Sequence, residues 1–133
     1  MDLRLKHVIE EYWAGIQEVL RLMDASGMPR PATLAEWLVT RNEWQMGTFV
    51  GDIRFFCHGY GIAVNLPSGV LDFDFGLNGE VDGVNVHWAI QFVQKRLGEF
   101  GYSSESELKQ AFEDAIAAGD LAKDDLGAYR LRG

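Results

Sequence analysis

The spacing of apolar residues changes twice along this chain, and this change limits the fold more than any other feature of the sequence. Between Leu5 and Met23 apolar residues recur every three or four positions, which is the period of an α-helix. Between Ile53 and Phe75 they alternate with polar residues, as they do in antiparallel strands. The helical period returns at Val86. The sequence therefore predicts helices and strands that are segregated along the chain.

The helical segments have recognisable ends. Gly27 and Pro29 end the first segment, because glycine favours a left-handed terminal residue and proline cannot continue a helix. The later helix starts are predicted at three places, namely the capping pair Thr33 and Glu36, the N-cap Asn85, and the capping pair Ser104 and Glu107. Two helices therefore precede the strand region and two follow it.

The strand region predicts a small antiparallel meander. Turn residues at Gly59, Gly61 and Pro67–Gly69 divide it into two or three strands. A further short strand is predicted at Tyr129–Leu131, at the edge of the sheet. We expect a single α+β domain over residues 1–133, with the helices packed on one face of the meander.

Charge and composition exclude several classes of protein. The chain has 12 Lys and Arg against 20 Asp and Glu, so its net charge of −8 disfavours binding to nucleic acids or to anionic membranes. With 47% hydrophobic residues among 133, it is long and apolar enough to bury a core. Its one cysteine, Cys57, forms no internal disulfide, and the N-terminus lacks the apolar segment of a secretory signal. We expect a cytoplasmic protein without a cofactor.

The acidic residues are unevenly placed. No Lys or Arg occurs between Phe55 and Gln94, and the four acidic residues of that segment give it a formal charge of −4. The predicted partner-binding residues are these four and one large aromatic, namely Asp72, Asp74, Glu80, Asp82 and Trp44. The partner would be a basic protein. The alternative is that the acidic surface serves only solubility.

A second set of residues has the chemistry of an active site. Period two places Asp72 and Asp74 on one face of a strand, where two carboxylates can hold a hard cation or divide acid and base roles. The alternative active-site cluster adds two imidazoles and consists of His58, Asp72, Asp74 and His87. The competing interpretation is a solvated strand face beside a structural histidine. No histidine array with metal-binding spacing occurs, so no metal site is predicted.

Cys57 is adjacent to His58, and a cysteine–histidine pair is one way to build a nucleophile. Neighbours on a strand point to opposite faces, which works against the hydrogen bond that such a pair requires. A small buried thiol is the ordinary explanation for a cysteine in an apolar run.

Several of these residues also form a pattern. The turn His58–Gly61, the strand Leu71–Gly76, the pair Asp82–Gly83 and the downstream Trp88 together resemble a bacterial family catalogued as domain of unknown function 6896. The resemblance lies chiefly within residues 54–93 and implies an α+β fold, with no activity to transfer. The small, acidic chain is also similar in general character to immunity proteins that neutralise secreted toxins.

Three functional hypotheses follow. The first is an immunity-type inhibitor that covers the active site of a basic toxin, such as a nuclease, with its acidic surface. The second is a small metal-dependent hydrolase that uses the histidine and aspartate cluster. The third is a structural domain that forms a homodimer through its first helix, against the monomer expected for an inhibitor.

Overall fold

The computed structural model describes residues 1–44, 48–50, 53–59, 61–75, 83–123 and 129–131. Its helices are α1 (Leu3–Ser26), α2 (Leu34–Trp44), α3 (Val86–Val93) and α4 (Glu105–Ala117), with a short 3₁₀ helix at Leu97–Phe100. Its strands are β1 (Thr48–Val50), β2 (Ile53–His58), β3 (Gly61–Leu66), β4 (Gly69–Asp74), β5 (Leu121–Lys123) and β6 (Tyr129–Leu131). The predicted α+β fold is confirmed, with two α-helices before the main sheet and two after it.

Strands β1 to β4 form one antiparallel sheet in which each strand pairs with the next along the chain. This is the predicted meander, extended by β1, which lies before the region where two or three strands were expected. The turn after Leu66 is tight, since Leu66 pairs directly with Gly69. Gly69 has a φ of +151°, a conformation that favours glycine.

Helix α1 buries the apolar stripe that its sequence predicts. Eight side chains of this stripe have at most 4% of their surface exposed, and they are Leu5, Val8, Ile9, Tyr12, Ile16, Val19, Leu20 and Met23. The helix ends at Ser26, and Gly27 follows with a φ of +81°. The N–H of Gly27 donates to the carbonyl of Asp24, and the N–H of Met28 donates to the carbonyl of Met23. These hydrogen bonds satisfy carbonyl groups that a helix end leaves without partners.

The predicted capping pair at α2 forms with a shift of one residue. Thr33 Oγ1 accepts a hydrogen bond from the Glu36 N–H at 3.2 Å, as in a capping box. The Glu36 carboxylate accepts from the N–H of Ala32 at 2.7 Å, one residue before the expected donor. The pair therefore fixes the chain that enters the helix as well as its first turn.

The last two helices start where the sequence predicts. Asn85 Oδ1 accepts from the Trp88 N–H at 3.1 Å, and Ser104 Oγ accepts from the Glu107 N–H at 3.2 Å. The helical spacing of the apolar residues Val86, Ala89, Ile90, Val93 and Leu97 predicts that α3 continues through Leu97, and this prediction is wrong. The helix ends at Val93, and the chain tightens into the 3₁₀ helix before Gly101 reverses it at a φ of +84°.

The C-terminal strand is present, but its partner differs from the predicted one. Strand β6 pairs with β5 in a separate two-stranded sheet, and not with the edge of the meander. The backbone of Tyr129 also exchanges two hydrogen bonds with Val84, at 2.7 and 2.8 Å. Sequence alternation identifies a strand but carries no information on which edge will accept it.

The chain divides into two compact units. The split unit consists of Met1–Trp13 and Asp82–Gly133, and the contiguous unit of Ala14–Val81. The split unit contains α3, α4, β5 and β6, whereas the contiguous unit contains α2 and the meander. The assignment of residues 1–133 to a single domain stays a prediction.

Candidate functional site

The meander has two chemically different faces. The buried side chains of β2, β3 and β4 alternate with polar or small ones, and those on the core face are Phe55, Cys57, Ile62, Val64, Leu71 and Phe73. The opposite face, called the polar face below, carries Arg54, Phe56, His58, Gly61, Ala63, Asn65, Val70, Asp72 and Asp74. The predicted placement of both aspartates on one face agrees with this register.

Strand register sets which residues of the polar face are neighbours. His58 pairs with Gly61, which pairs in turn with Asp74. The adjacent row on the same face joins Phe56 and Asp72 through Ala63. Each row therefore places one ring and one carboxylate on either side of a small residue.

His58 and Asp72 form a short polar contact on this face. His58 Nε2 lies 2.6 Å from Asp72 Oδ1, with 34% of the histidine side chain and 18% of the aspartate side chain exposed. This hydrogen bond is the main reason why the pKa of His58 is raised from its ordinary value of 6.5. Partial burial opposes the rise, the charges of Asp72 and Asp74 add to it, and Arg41 opposes it.

Asp74 has a different environment, although it lies on the same strand. Its carboxyl group loses part of its hydration against the protein surface, and this is the main reason why its pKa is raised. A positive His58 opposes the rise, whereas the charge of Asp72 adds to it. Two carboxyl groups thus lie near the His58 imidazole, and that of Asp74 is ionised at a cost.

Gly61 permits the close approach of β3 to β4 beside this pair. A Cβ atom at this position would overlap the carbonyl oxygen of Phe73 and lie 2.8 Å from the Cα of Asp74. No side chain fits there without movement of the strand backbone. The conformation of the site therefore depends on a glycine at position 61.

Helix α2 holds the end of β2 through two backbone contacts. The Trp37 indole N–H donates to the His58 carbonyl oxygen at 3.0 Å, and Arg41 Nη1 donates to the Gly59 carbonyl oxygen at 3.4 Å. The Trp37 ring is buried and lies 4.8 Å from that of Phe75. Sequence reasoning missed Trp37 and Arg41, because their spacing marks a helix and gives no sign of the strand that they contact.

Cys57 lies on the core face, opposite to His58. Burial raises the pKa of its thiol, and Arg41 opposes this only in part. A thiolate is the reactive form of cysteine, so this environment disfavours a nucleophile at Cys57. The sequence-based objection to a Cys57–His58 pair agrees with the observed placement.

The remaining predicted site residues have separate outcomes. Glu80 and Asp82 lie outside the described residues. Trp44 is the last residue of α2 and is half-buried. His87 lies in the first turn of α3 in the split unit, whereas His58, Asp72 and Asp74 lie in the contiguous unit.

The described part of the chain has neither a metal-binding cluster nor a helix that could cross a membrane. Among residues 1–44, 48–50, 53–59, 61–75, 83–123 and 129–131, no three His, Cys, Asp or Glu side chains converge to form a metal site. Within the same ranges, none of the helices combines the length and the apolar content that a membrane span requires.

A second group of charged residues, the Arg4 cluster, occurs in the split unit. Arg4 donates hydrogen bonds to Asp2 and Glu107 at 2.8 Å each, and its guanidinium lies 4.4 Å from the centre of the Tyr102 ring. Ser103 donates to Glu107 through its hydroxyl at 2.6 Å and its N–H at 2.9 Å. A groove of about 460 Å³ lies beside this cluster and is lined in part by Asp2, Arg4 and Glu107.

These contacts fix the charges of the Arg4 cluster. Hydrogen bonds from Ser103 and Arg4 lower the pKa of Glu107 to about 2, and those from Arg4 lower the pKa of Asp2. Burial, followed by the charge of Asp2, raises the pKa of Tyr102 to about 12. Each carboxylate of this cluster accepts hydrogen bonds from donors within the fold.

The chain has an α+β fold, and one face of its meander carries Asp72 and Asp74. A family model named domain of unknown function (DUF6896) matches residues 5–131. The chain therefore belongs to this family over nearly its whole length, well beyond the segment 54–93 that first suggested it. No curated protein and no solved structure matches the chain.

Proposed function

We propose that this chain is a cytoplasmic protein-binding domain whose polar face docks a basic partner. The observation that supports this most strongly is the placement of Asp72 and Asp74 on one face of a hydrogen-bonded sheet. A rigid sheet holds both carboxylates without the entropy loss of ordering a loop, which favours binding. The specific form of the proposal is an immunity-type inhibitor of a secreted toxin.

The polar face combines charge with apolar contact area. Val70 is 39% exposed on β4, and Phe56 and Ala63 are partly exposed beside the carboxylates. Interfaces of this kind gain affinity from desolvated apolar contacts, while opposite charges set the orientation and increase the association rate. The net charge of −8 adds long-range attraction for a basic protein.

Inhibition would proceed by occlusion. The active site of a nuclease binds phosphates through Lys and Arg, and two fixed carboxylates present a comparable pattern of negative charge. Asp72 and Asp74 would pair with those cations and exclude the substrate. Glu80, Asp82 and Trp44 are proposed to extend the same contact, on the basis of the sequence alone.

Charge reversal tests this proposal. The wild-type chain and the double variant Asp72→Lys/Asp74→Lys are immobilised and used to capture proteins from a bacterial lysate at low and moderate salt. A matched double variant, Glu10→Lys/Glu113→Lys, makes the same change in net charge at two exposed helix positions. The proposal is supported if the wild type and the control capture a basic protein, and if Asp72→Lys/Asp74→Lys binds that protein more than about 100-fold more weakly.

The captured protein is then assayed for toxin activity. Its inhibition by the wild type and by the control, but not by Asp72→Lys/Asp74→Lys, identifies the polar face as the inhibitory surface. Equal affinity of all three chains, with the same dependence on salt, would remove the polar face from the interaction.

The 2.6 Å contact between His58 Nε2 and Asp72 Oδ1 supports a second candidate, a small hydrolase. If the neutral ring donates its Nε2–H to Asp72, Nδ1 remains the basic nitrogen and can take a proton from water. The described residues do not form a metal site around this pair, so this version of the hypothesis uses the pair as a general base alone.

A panel of ester, amide and phosphodiester substrates distinguishes the two candidates. Catalysis by His58 predicts a rate that increases with pH through the pKa of this residue, and a loss of about 100-fold or more in His58→Asn. Glu113→Gln serves as the control. Hydrolysis that persists in His58→Asn would arise from a contaminant or another site.

A further inference from the structure

On the central strand of the polar face, two small residues of β3 lie between larger side chains of β2 and β4. Neighbouring strands lie about 4.8 Å apart, so the side chains on β2 and β4 are roughly 10 Å apart. We call this set of residues the trough, and its members are Phe56, His58, Gly61, Ala63, Asp72 and Asp74.

The chain itself places a cationic group across the trough. His58 shares a row with Asp74, yet its Nε2 contacts Asp72 in the next row at 2.6 Å. The imidazole therefore extends diagonally over Gly61, where no side chain obstructs it. Asp72 therefore accepts a hydrogen bond from the His58 ring when Nε2 carries a proton, and this bond is stronger when the ring is positively charged.

The aromatic side of the trough already accepts a guanidinium. The Arg54 guanidinium carbon lies 4.4 Å from the centre of the Phe56 ring. Phe56 shares its row with Asp72 across the small side chain of Ala63. A ring on one side and a carboxylate on the other are the two surfaces that an arginine side chain prefers.

We propose that the trough binds one arginine side chain of the basic partner, which replaces the His58 imidazolium at Asp72 and releases its proton to solvent. This inference rests on the proposed docking function and specifies the group that is recognised. Arginine is preferred to lysine, because its planar fork can bond a carboxylate through two N–H groups.

The surroundings of His58 favour this exchange. Among the described residues, the charged groups that act on His58 are Asp72 and Asp74 on β4 and Arg41 on α2. The two carboxylates hold the proton on the ring, consistent with its raised pKa, whereas Arg41 opposes it. Once an incoming guanidinium occupies Asp72, a second positive charge in the trough is repelled and the imidazole loses its proton.

The exchange predicts a specific dependence on pH. Below the pKa of His58 in the free protein, binding releases one proton. The dissociation constant therefore falls by up to about tenfold for each unit by which the pH rises. Above that pKa the ring is already neutral and the dissociation constant is constant. A partner that binds beside His58 without displacing it shows no such slope.

The probe is a blocked oligoarginine peptide at about 0.15 M salt, where non-specific attraction to the acidic chain is screened. A citrulline peptide of the same length keeps the shape of the side chain without its charge. NMR of the His58 ring gives its pKa with and without the peptide. Calorimetry in two buffers of different ionisation enthalpy gives the number of protons released.

Four results support the inference. Saturating oligoarginine lowers the pKa of His58, and about one proton is released at roughly pH 5.5 but none at pH 8.5. His58→Gln binds with the same affinity at both pH values, Asp72→Asn binds at least about tenfold more weakly, and the citrulline peptide does not bind. The control Glu113→Gln, on an exposed position of α4, behaves as the wild type.

The failure of this inference differs from the failure of the docking function. If oligoarginine binds without any change in the His58 pKa, or does not bind, the exchange at Asp72 is wrong. If capture of the protein partner still depends on Asp72 and Asp74 but is constant between about pH 5.5 and 8.5, docking stands and proton release is wrong. Capture that is independent of both aspartates removes the docking function itself.

Discussion

The polar face of the meander and the Arg4 cluster both bring acidic and basic groups together, but they differ in how completely the acids are matched. In the Arg4 cluster, Glu107 accepts bonds from Arg4 and from Ser103, and its pKa is lowered to about 2. On the polar face, one imidazole is near two carboxyl groups, and the pKa values of His58 and Asp74 are both raised.

This difference separates a structural cluster from a candidate binding site. Carboxylates that accept strong bonds from within the fold are held in their ionised form and have little to gain from an external cation. Asp74, whose ionised form is disfavoured by partial burial, gains from a cation supplied by another molecule. Four predictions, from the largest expected effect to the smallest, test this comparison.

The largest effect is expected for Gly61→Ala, which changes the backbone on which the polar face depends. The new Cβ would lie 2.8 Å from the Cα of Asp74, so β3 and β4 must separate. We expect a loss of about 3 kcal/mol in the free energy of unfolding, measured by urea denaturation. Gly59→Ala is the control, because nothing lies within 4 Å of a Cβ at that position. Equal stability of the two variants would show that the close approach is unimportant.

Asp72→Asn removes the main partner of His58. We expect the pKa of His58 to fall toward 6.5, measured by NMR, because the hydrogen bond to Asp72 is the largest cause of its rise. A pKa that folding raises contributes stability that is fully present below the unfolded pKa and is lost as pH rises through the folded pKa. The free energy of unfolding of the wild type should therefore exceed that of the variant by roughly 1 kcal/mol at about pH 5.5, and by less at pH 8.5.

Asp74→Asn is the matched variant for that measurement. The charge of Asp74 is a weaker cause of the raised His58 pKa than the contact with Asp72. The pKa of His58 should therefore fall by less in Asp74→Asn than in Asp72→Asn. A fall as large as that in Asp72→Asn would mean that the total charge of the face, and not the hydrogen bond, holds the proton.

Glu107→Gln tests the matched side of the comparison. A pKa lowered to about 2 from 4.5 contributes stability that is present above the unfolded value and is lost as pH falls through the folded value. At neutral pH we expect an unfolding temperature roughly 3 °C below that of the wild type, and the difference should shrink as pH falls toward about 2. A constant difference across this range would indicate that the ionised form has no special role.

The smallest effect is expected for Arg41→Gln. Arg41 opposes the charge on His58, so its removal should raise the pKa of His58 further, by less than Asp72→Asn lowers it. NMR titration of His58 measures both shifts. Lys109→Gln, an exposed substitution on α4 that also removes one positive charge, is the control for the change in net charge. If the pKa of His58 falls in Arg41→Gln, the hydrogen bond from Arg41 to the Gly59 carbonyl oxygen must instead position the His58 ring against Asp72.

Much of the fold follows from local patterns in the sequence. The stripe of α1, the N-caps of α3 and α4, and the alternation of Phe73 with Asp72 and Asp74 each depend on residues a few positions apart, and all of them agree with the structure. The family resemblance seen within residues 54–93 is confirmed over residues 5–131.

The features that sequence reasoning missed depend on residues that are distant in the chain. Arg4 and Glu107 are 103 positions apart, and the indole of Trp37 contacts a carbonyl 21 positions away. The sequence groups His58 with Asp72 in one candidate cluster, but it does not show that their contact crosses an intervening strand beside Gly61, which has no side chain. Periodicity gives the face of each residue, but the register and the strand order determine which residues meet.

The two units also differ in when they can form. The contiguous unit, Ala14–Val81, contains all four strands of the meander within one stretch of chain. During synthesis this stretch can pair its strands as soon as it leaves the ribosome, since each strand contacts only its sequence neighbours. The split unit needs Met1–Trp13 together with Asp82–Gly133, and the two hydrogen bonds between Val84 and Tyr129 must wait until Tyr129 is synthesised. The polar face can therefore be assembled before residues 82–133 of the split unit are synthesised.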